Sequence, residues 1–154
     1  MYDTKKDLLD AFRAAPTVLK VLLASYAEEQ AQAGPDGEGG WSVLEVVCHL
    51  RDAEERSLER MRKMRDEQHP FIEGFDPEAW ASERGYAGAD LGEALDAFLR
   101  LRAQHLAELE ALSDEEWERG GKHEEHGDIS IFAQTAHLVA HDYQHAAQIV
   151  RRGL

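Results

Sequence analysis

The sequence predicts an all-α protein, a four-helix bundle with long crossover loops and short extra helices. Apolar residues recur at helical spacing through four long stretches, and capping signals such as Ser42 with Glu45 stand where stretches begin. No stretch has the strict alternation of a half-buried strand, and there is no internal repeat. The 154 residues suit one domain, 1–154, with a core that needs no disulfide.

The N-terminal region is predicted to hold two helical segments. The first begins near Thr4 and is interrupted at Pro16, because proline lacks the N–H that a helix interior requires. The second runs from Pro16 to about Gly34 and carries a stripe of leucine and valine. Residues 34–40, GPDGEGG, are predicted to form a loop from their composition.

The next long helix is predicted over residues 43–68. Ser42 and Glu45 have the spacing of a capping box, in which each side chain bonds the backbone N–H of the other residue. Residues 69–90 are mixed in composition, and we expect a loop there with one short helix that begins at Pro77.

The C-terminal half is predicted to hold two more long helices. One begins at Asp90 and ends near Leu112, and the last spans residues 131–151. Between them, Ser113 is expected to cap a short helix around Trp117, followed by a turn-rich connection without strands.

Charge and cysteine content argue against several classes of ligand and against a disulfide. There are 31 acidic and 17 basic residues, a net charge of −14, which argues against nucleic-acid binding and against an anionic membrane surface. Cys48 is the single cysteine, so no internal disulfide forms. Without an apolar signal core or a membrane-length stretch, a cytoplasmic location is expected.

Histidines are the chemically informative residues. His137, His141 and His145 recur every fourth residue of the last predicted helix, and two imidazoles one turn apart can chelate one divalent ion. His49 lies among apolar residues of an earlier helix. A third histidine from such a neighbouring helix would complete a site with open coordination positions.

The residues alone leave alternatives open. Buried histidines often only pack and find protein hydrogen-bond partners, and spacing does not choose between the pairs His137–His141 and His141–His145. His123 and His126, in KHEEHGD, are compatible with a metal site, with the mouth of one, or with a solvated loop. Cys48 is compatible with a ligand, but is better read as a small core residue.

Two motifs resemble the DinB/YfiT-like family of metalloenzymes. WSVLEVVCHLRDAEER resembles the family's first motif, and AHDYQHAAQI resembles the second. PFIEGFDPEAWA, between them, is similar to a stretch in many members. One departure is Ala146-Ala147, where many members have Arg-Gly, so no arginine anchors a substrate there.

The resemblance implies a bundle with one metal ion held by His49, His141 and His145, and leaves His137 as a neighbour. Histidine nitrogens suit Zn, Ni or Fe. Relatives include transferases that use low-molecular-weight thiols such as bacillithiol or mycothiol, and the family name refers to DNA-damage induction, hence an expected stress-response role. Side chains that are near the ligands in sequence are candidates to orient them: Glu45, Asp52, Asp142 and Gln148.

Two main functions are predicted. The first is a metal-dependent enzyme with a small-molecule substrate, either a thiol S-transferase or a hydrolase. The alternative is a non-catalytic metal- or ligand-binding bundle, a sensor or store, in which Asp52 or Glu45 closes the coordination sphere. An interaction protein, a helical bundle that acts through protein contacts and whose histidines are only buried, is the third hypothesis. The long helical faces are also compatible with a homodimer.

Overall fold

The computed structural model describes residues 4–33 and 40–153, so the predicted loop over 34–40 lies almost wholly outside the described residues. The four long helices pack as the predicted bundle, with α3 against α5 and α7, and α1 against α7 and α5. The helices are α1 (Thr4–Leu23), α2 (Glu28–Gln32), α3 (Val43–Asp66), α4 (Pro77–Glu83), α5 (Leu91–Glu110), α6 (Asp114–Trp117) and α7 (Ile131–Arg152), and the strands are β1 (Phe71–Ile72), β2 (Gly120–His123) and β3 (Gly127–Ser130). No described helix is both long and apolar enough to cross a membrane.

The caps at Ser42, Asp90 and Ser113 are confirmed. The Ser42 hydroxyl accepts from the Glu45 backbone N–H at 3.2 Å, and Glu45 accepts from the Ser42 backbone N–H at 3.2 Å. Ser113 and Glu116 make the same reciprocal pair at the start of α6. Asp90 caps α5. Each cap satisfies backbone donors that a helix start leaves without partners.

The predicted break at Pro16 is wrong, because α1 continues through it. Proline has no N–H to give to the carbonyl four residues earlier, which here belongs to Phe12. The Arg102 guanidinium from α5 donates to that carbonyl oxygen through Nη1, at 3.1 Å. A tertiary contact therefore replaces the missing helical hydrogen bond, and the chain leaves the helix only after Leu23.

The prediction of no strands is also wrong. β2 and β3 form an antiparallel hairpin, and β1 pairs with β2 in parallel. Gly120 and Gly121 permit this pairing, since a Cβ on either would overlap a carbonyl oxygen, of Ile129 and of Pro70 respectively. Gly127 makes the turn with a φ of 72°, in the region that favours glycine.

The core has two apolar clusters with charged residues between them. One cluster surrounds Leu44, Phe98 and Ile149, and the other surrounds Leu58 and Leu109. Four side chains that are at most 2% exposed form the layer between the clusters, which we call the charge layer: Glu54, Arg102, His105 and Asp142.

Hydrogen bonds hold the charge layer together. Arg102 Nη2 donates to Glu54 Oε2 at 2.7 Å and to Asp142 Oδ2 at 2.6 Å, and the other Glu54 oxygen lies 2.7 Å from His105 Nδ1. Burial raises the pKa of Asp142 to about 6, although Arg102 opposes this. Burial also acts to raise the pKa of Glu54, but Arg102 and His105 outweigh it and lower that pKa. The layer thus joins α3, α5 and α7 through one guanidinium.

Candidate metal centre

Three histidines converge between α3 and α7. His49, His141 and His145 each offer a ring nitrogen, and these atoms all lie within 4.8 Å of one another. Their ring centroids are 4.5–4.9 Å apart, and Nε2 of His49 is 2.9 Å from Nε2 of His141. We call this group the three-histidine cluster.

The helices place these rings together by register. The cap at Ser42 fixes the start of α3 seven residues before His49. The spacing of four residues puts His141 and His145 on one face of α7. Further along the same helix pair, Gln134 Nε2 donates to the Ser57 carbonyl oxygen at 3.0 Å, which fixes the axial position of α7 on α3.

The hydrogen bonds orient one ring of the cluster and leave the other two with ring nitrogens face to face. His145 Nδ1 lies 2.8 Å from the Gln148 amide oxygen, an acceptor, so that nitrogen carries the ring proton and leaves the Nε2 lone pair free. The facing Nε2 atoms of His49 and His141 cannot both carry a proton at 2.9 Å. Their Nδ1 atoms are buried and have no hydrogen-bond partner within the described ranges. Three nitrogen donors and one oriented tautomer fit a divalent ion.

Burial keeps the three imidazoles neutral. Desolvation, with the neighbouring His145, lowers the pKa of His49 to about 4. Desolvation and the same neighbour lower the pKa of His141 to about 3. Burial also lowers the pKa of His145, although the hydrogen bond that its ring donates to Gln148 opposes this. At neutral pH the lone pairs are therefore available without prior loss of a proton.

Asp52 is not turned towards the cluster. It is buried and accepts from Arg51 Nε at 2.8 Å, from the Tyr86 hydroxyl, and from Arg84 Nη1 at 3.0 Å. Its expected hydrogen bond to the His49 ring is absent, since His49 Nδ1 has no partner in the described part of the chain. The indole of Trp41 instead covers that ring, with centroids 4.8 Å apart.

Of the other side chains expected to orient the histidines, only one contacts the cluster. Glu45 caps α3, and Asp142 belongs to the charge layer. Gln148 does contact a cluster histidine, as predicted. Cys48 is fully buried in an apolar cluster, and desolvation raises the pKa of its thiol to about 11. Among the described residues, the cluster contains imidazoles and no carboxylate.

The structure thus brings together His49, His141 and His145 and leaves His137 outside. His137 is exposed and lies one turn before His141, so the geometry selects the second of the two equally spaced pairs. Sequence spacing does not predict the contact between Trp41 and the cluster. Trp41 precedes α3, and its ring meets that of His49 only in the folded structure.

A second histidine group lies on the hairpin. Donor atoms of His123, Glu125 and His126 also lie within 4.8 Å of one another. The rings of His123 and His126 stack with centroids 4.7 Å apart. His123 Nδ1, however, already accepts a hydrogen bond from the Glu125 backbone N–H at 3.1 Å. The lone pair of that nitrogen is therefore not free to bind a metal ion. The expected solvated loop is an ordered turn of the sheet.

Comparison with known proteins connects this geometry to a family. A model of the DinB superfamily matches residues 11–149. A Bacillus subtilis protein named "Putative metal-dependent hydrolase YfiT" is 28% identical over 148 residues, which cover 96% of this chain and 83% of that protein. A Bacillus licheniformis protein, also named as a "Putative metal-dependent hydrolase", is 31% identical over 140 residues, 89% of this chain and 78% of its own.

A solved structure is similar over the whole fold. The structure of YfiT from Bacillus subtilis matches with a TM-score of 0.89 and 26% identity, and covers 99% of this chain and 87% of that chain. It is described as "a probable metal-dependent hydrolase with an unusual four-helix bundle topology". The predicted fold class is confirmed by this likeness.

Proposed function

The chain belongs to the DinB superfamily, and on that premise we propose that it is a metal-dependent hydrolase that acts on a small molecule. His49, His141 and His145 hold one divalent ion. The observation that carries the proposal is the convergence of three neutral imidazole nitrogens, from two helices, within 4.8 Å of one another. Two relatives that match most of the chain carry the name "Putative metal-dependent hydrolase".

The chemistry of the donor set favours a reactive site over a closed one. His49, His141 and His145 would leave a bound divalent ion its full charge, because all three ligands are neutral, and such an ion would supply an activated water near neutral pH. Gln148 fixes the His145 tautomer at 2.8 Å. The Trp41 indole packs against one side of the His49 ring.

A closed, non-catalytic site has less support. It would require a fourth protein ligand such as Asp52 or Glu45. Asp52 accepts from Arg51, Arg84 and Tyr86, and Glu45 is used in the helix cap. Transfer to a low-molecular-weight thiol stays a prediction, as do the identity of the metal among Zn, Ni and Fe, the homodimer, the stress-response role and the cytoplasmic location.

Metal content is the test of the site. Untagged protein is purified and its metal measured by elemental mass spectrometry beside a triple variant, His49→Gln, His141→Gln and His145→Gln. His137→Gln is the matched control, because it removes an imidazole from the same face of α7 but outside the cluster. We expect about one ion per chain in the parent and the control. Background metal in all three proteins, after attempted reconstitution, would contradict the proposal.

The reaction is tested with the metal-loaded protein. A panel of small esters and amides is assayed beside thiol–electrophile pairs, with the triple variant as the blank. Metal-dependent hydrolysis supports the proposal. Conjugation of the thiol without hydrolysis would replace it by the transferase, and no turnover of either panel by protein that holds its metal would leave the binding bundle as the better description.

A further inference from the structure

A cavity of about 200 Å³ lies between the β2–β3 hairpin and helices α3 and α7. We propose that this cavity, the hairpin pocket, binds a small oxyanion, a carboxylate or phosphate group, with Arg60 as its counter-ion. Three of its polar residues carry the proposal: Arg60 from α3, His123 from β2 and Gln134 from α7.

Arg60 is a partly buried cation with no ion-pair partner among the described residues. Its Nη2 donates to the Glu73 backbone carbonyl oxygen, and its Nε, like that of Arg56, is buried with no hydrogen-bond partner in the described part of the chain. No carboxylate within the described ranges lies in ion-pair distance of it. Burial, with the neighbouring charge of Arg56, lowers the pKa of Arg60, although the more distant carboxylates of Glu125 and Glu59 oppose this. A desolvated guanidinium is costly unless an anion accompanies it, so this position favours an anionic ligand.

Arg56, one turn earlier on α3, provides the contrast. It lies 3.5 Å from a Glu59 oxygen and 3.7 Å from a Glu73 oxygen, so its charge is matched within the protein. It does not line the hairpin pocket. The two arginines therefore differ in what surrounds them, although they share a face of the same helix.

His123 adds a second donor. Its Nδ1 accepts from the Glu125 backbone N–H, so the neutral ring carries its proton on Nε2. The side chain is 5% exposed and lines the pocket. The ring N–H and the Arg60 guanidinium thus line the same pocket, and two such donors suit an oxyanion. The same geometry disfavours a metal ion at this ring, because the nitrogen with the lone pair is already engaged and Arg60 would repel the ion.

Gln134 specifies what the ligand carries beside its anionic group. Its amide nitrogen donates to the Ser57 carbonyl oxygen, while its Oε1 is buried and has no partner among the described residues. The side chain is 8% exposed. An unpaired buried amide oxygen favours a ligand hydroxyl or amine. Ile129 and Ala133 add apolar surface to the lining, which also includes His126. A volume of about 200 Å³ is room for only a few carbons.

The pocket neighbours the three-histidine cluster. His137 lines it and stands one turn before His141, about 6 Å along the helix axis. This part of the inference rests on the proposed function: the pocket holds the anionic end of the substrate or product while the reacting bond lies at the metal. The net charge of −14 disfavours anions at long range, but that repulsion is screened beyond about 8 Å at physiological salt.

The test uses metal-free protein, so that anion binding and metal chemistry are judged separately. Uniformly ¹⁵N-labelled protein is titrated with glycolate, acetate, inorganic phosphate and, as the neutral probe, ethylene glycol. The His123 ring and the Gly121 amide are followed by NMR. We expect saturable shifts with the anions and none with ethylene glycol. Glycolate should bind more tightly than acetate, because its hydroxyl reaches Gln134 Oε1. Whichever of glycolate and phosphate binds more tightly identifies the anion as carboxylate or phosphate.

Variants then locate the binding. Arg60→Gln should weaken the preferred anion at least about tenfold, and Arg60→Lys, which keeps the charge but loses the planar fork, should lie between. Arg56→Gln, the matched control, should bind as the parent does. His141→Gln should also bind the anion normally, so failure of the metal site and failure of the pocket give different results. No saturable shift with any anion, or equal affinity in Arg60→Gln and the parent, would overturn the proposal.

Discussion

The bundle holds two groups of buried polar side chains that differ in their partners. One group pairs opposite charges, and the other brings neutral imidazoles together. In the charge layer, a guanidinium bonds two carboxylates within 2.7 Å, and a histidine bonds one of them. In the three-histidine cluster, imidazoles face one another without a carboxylate. His141 and Asp142 are neighbours on α7, yet each belongs to a different group.

The difference shows which group already holds a counter-ion. In the charge layer, the Arg102 guanidinium pairs with Glu54 and Asp142. Arg102 Nε and Asp142 Oδ1 are nevertheless buried without a hydrogen-bond partner among the described residues. The cluster concentrates lone pairs, keeps its rings neutral by burial and leaves its donors facing one another at 2.9 Å. A group of like donors is stabilised by a cation that comes from outside. The first group is therefore structural, and the second is suited to binding.

The largest expected effect comes from breaking the charge layer. Arg102→Met removes the counter-ion of Glu54 and Asp142 and the donor to the Phe12 carbonyl, so the free energy of unfolding should fall by about 3–5 kcal/mol. Denaturant unfolding measures this, with the exposed Arg100→Met as the matched control. Metal content of whatever variant remains folded should stay at the parent level. A variant as stable as the parent would show that the layer is not structural.

The second effect should appear only when metal is present. At a free metal concentration one hundred times Kd, binding should stabilise the parent by about 2.7 kcal/mol. His141→Gln should lose that stabilisation while its metal-free stability stays near that of the parent. Thermal unfolding with and without metal separates the two quantities. Equal metal-induced shifts in parent and variant would exclude His141 as a ligand.

Sequence predicts the helices better than what interrupts or joins them. The caps at Ser42, Asp90 and Ser113 are local patterns, and all three are confirmed. The break at Pro16 is wrong because its outcome depends on Arg102, 86 positions further along the chain. The hairpin is missed because glycine and charged residues are typical of loops, and their pairing needs tertiary neighbours.

For the site, the residues that share a helix were easier to predict than their surroundings. Periodicity puts His141 and His145 on one face, and family resemblance adds His49. Asp52 shows the limit. Its position near His49 in sequence does not predict that Arg84 and Tyr86, from a later segment, bind its carboxylate. Trp41 and Arg60 likewise gain their roles only from the packed structure.

A smaller effect distinguishes Cys48 from its neighbour His49. On α3, the Cys48 side chain packs in the apolar interior while the adjacent His49 belongs to the three-histidine cluster. Asp142 and His141 are divided in the same way on α7. Cys48→Ser buries a hydroxyl in an apolar environment and should lower the free energy of unfolding by about 1–2 kcal/mol. Metal content should not change, as elemental analysis would check, and a loss of metal would identify the thiol as a ligand.

The smallest expected effect is the response of metal affinity to pH. Protons compete with a metal only below the pKa of each free imidazole, and burial places those of His49 and His141 at about 4 and about 3. His145 is also lowered. Between pH 7.5 and 6.0 the affinity should therefore fall by no more than about fourfold, against roughly fiftyfold for three imidazoles of pKa 6.5.

Calorimetric titration at the two pH values, in buffers that do not bind the metal, measures this ratio. The Asp142→Asn variant tests whether the two groups are independent. Asp142 belongs to the charge layer, yet it is next to the cluster residue His141 in sequence. If the two groups are independent, this variant should lose stability but keep the flat pH response of the parent. A steep response in the parent would mean that the imidazoles take up protons as ordinary exposed histidines do. The cluster would then differ from the charge layer in exposure rather than in its need for a cation.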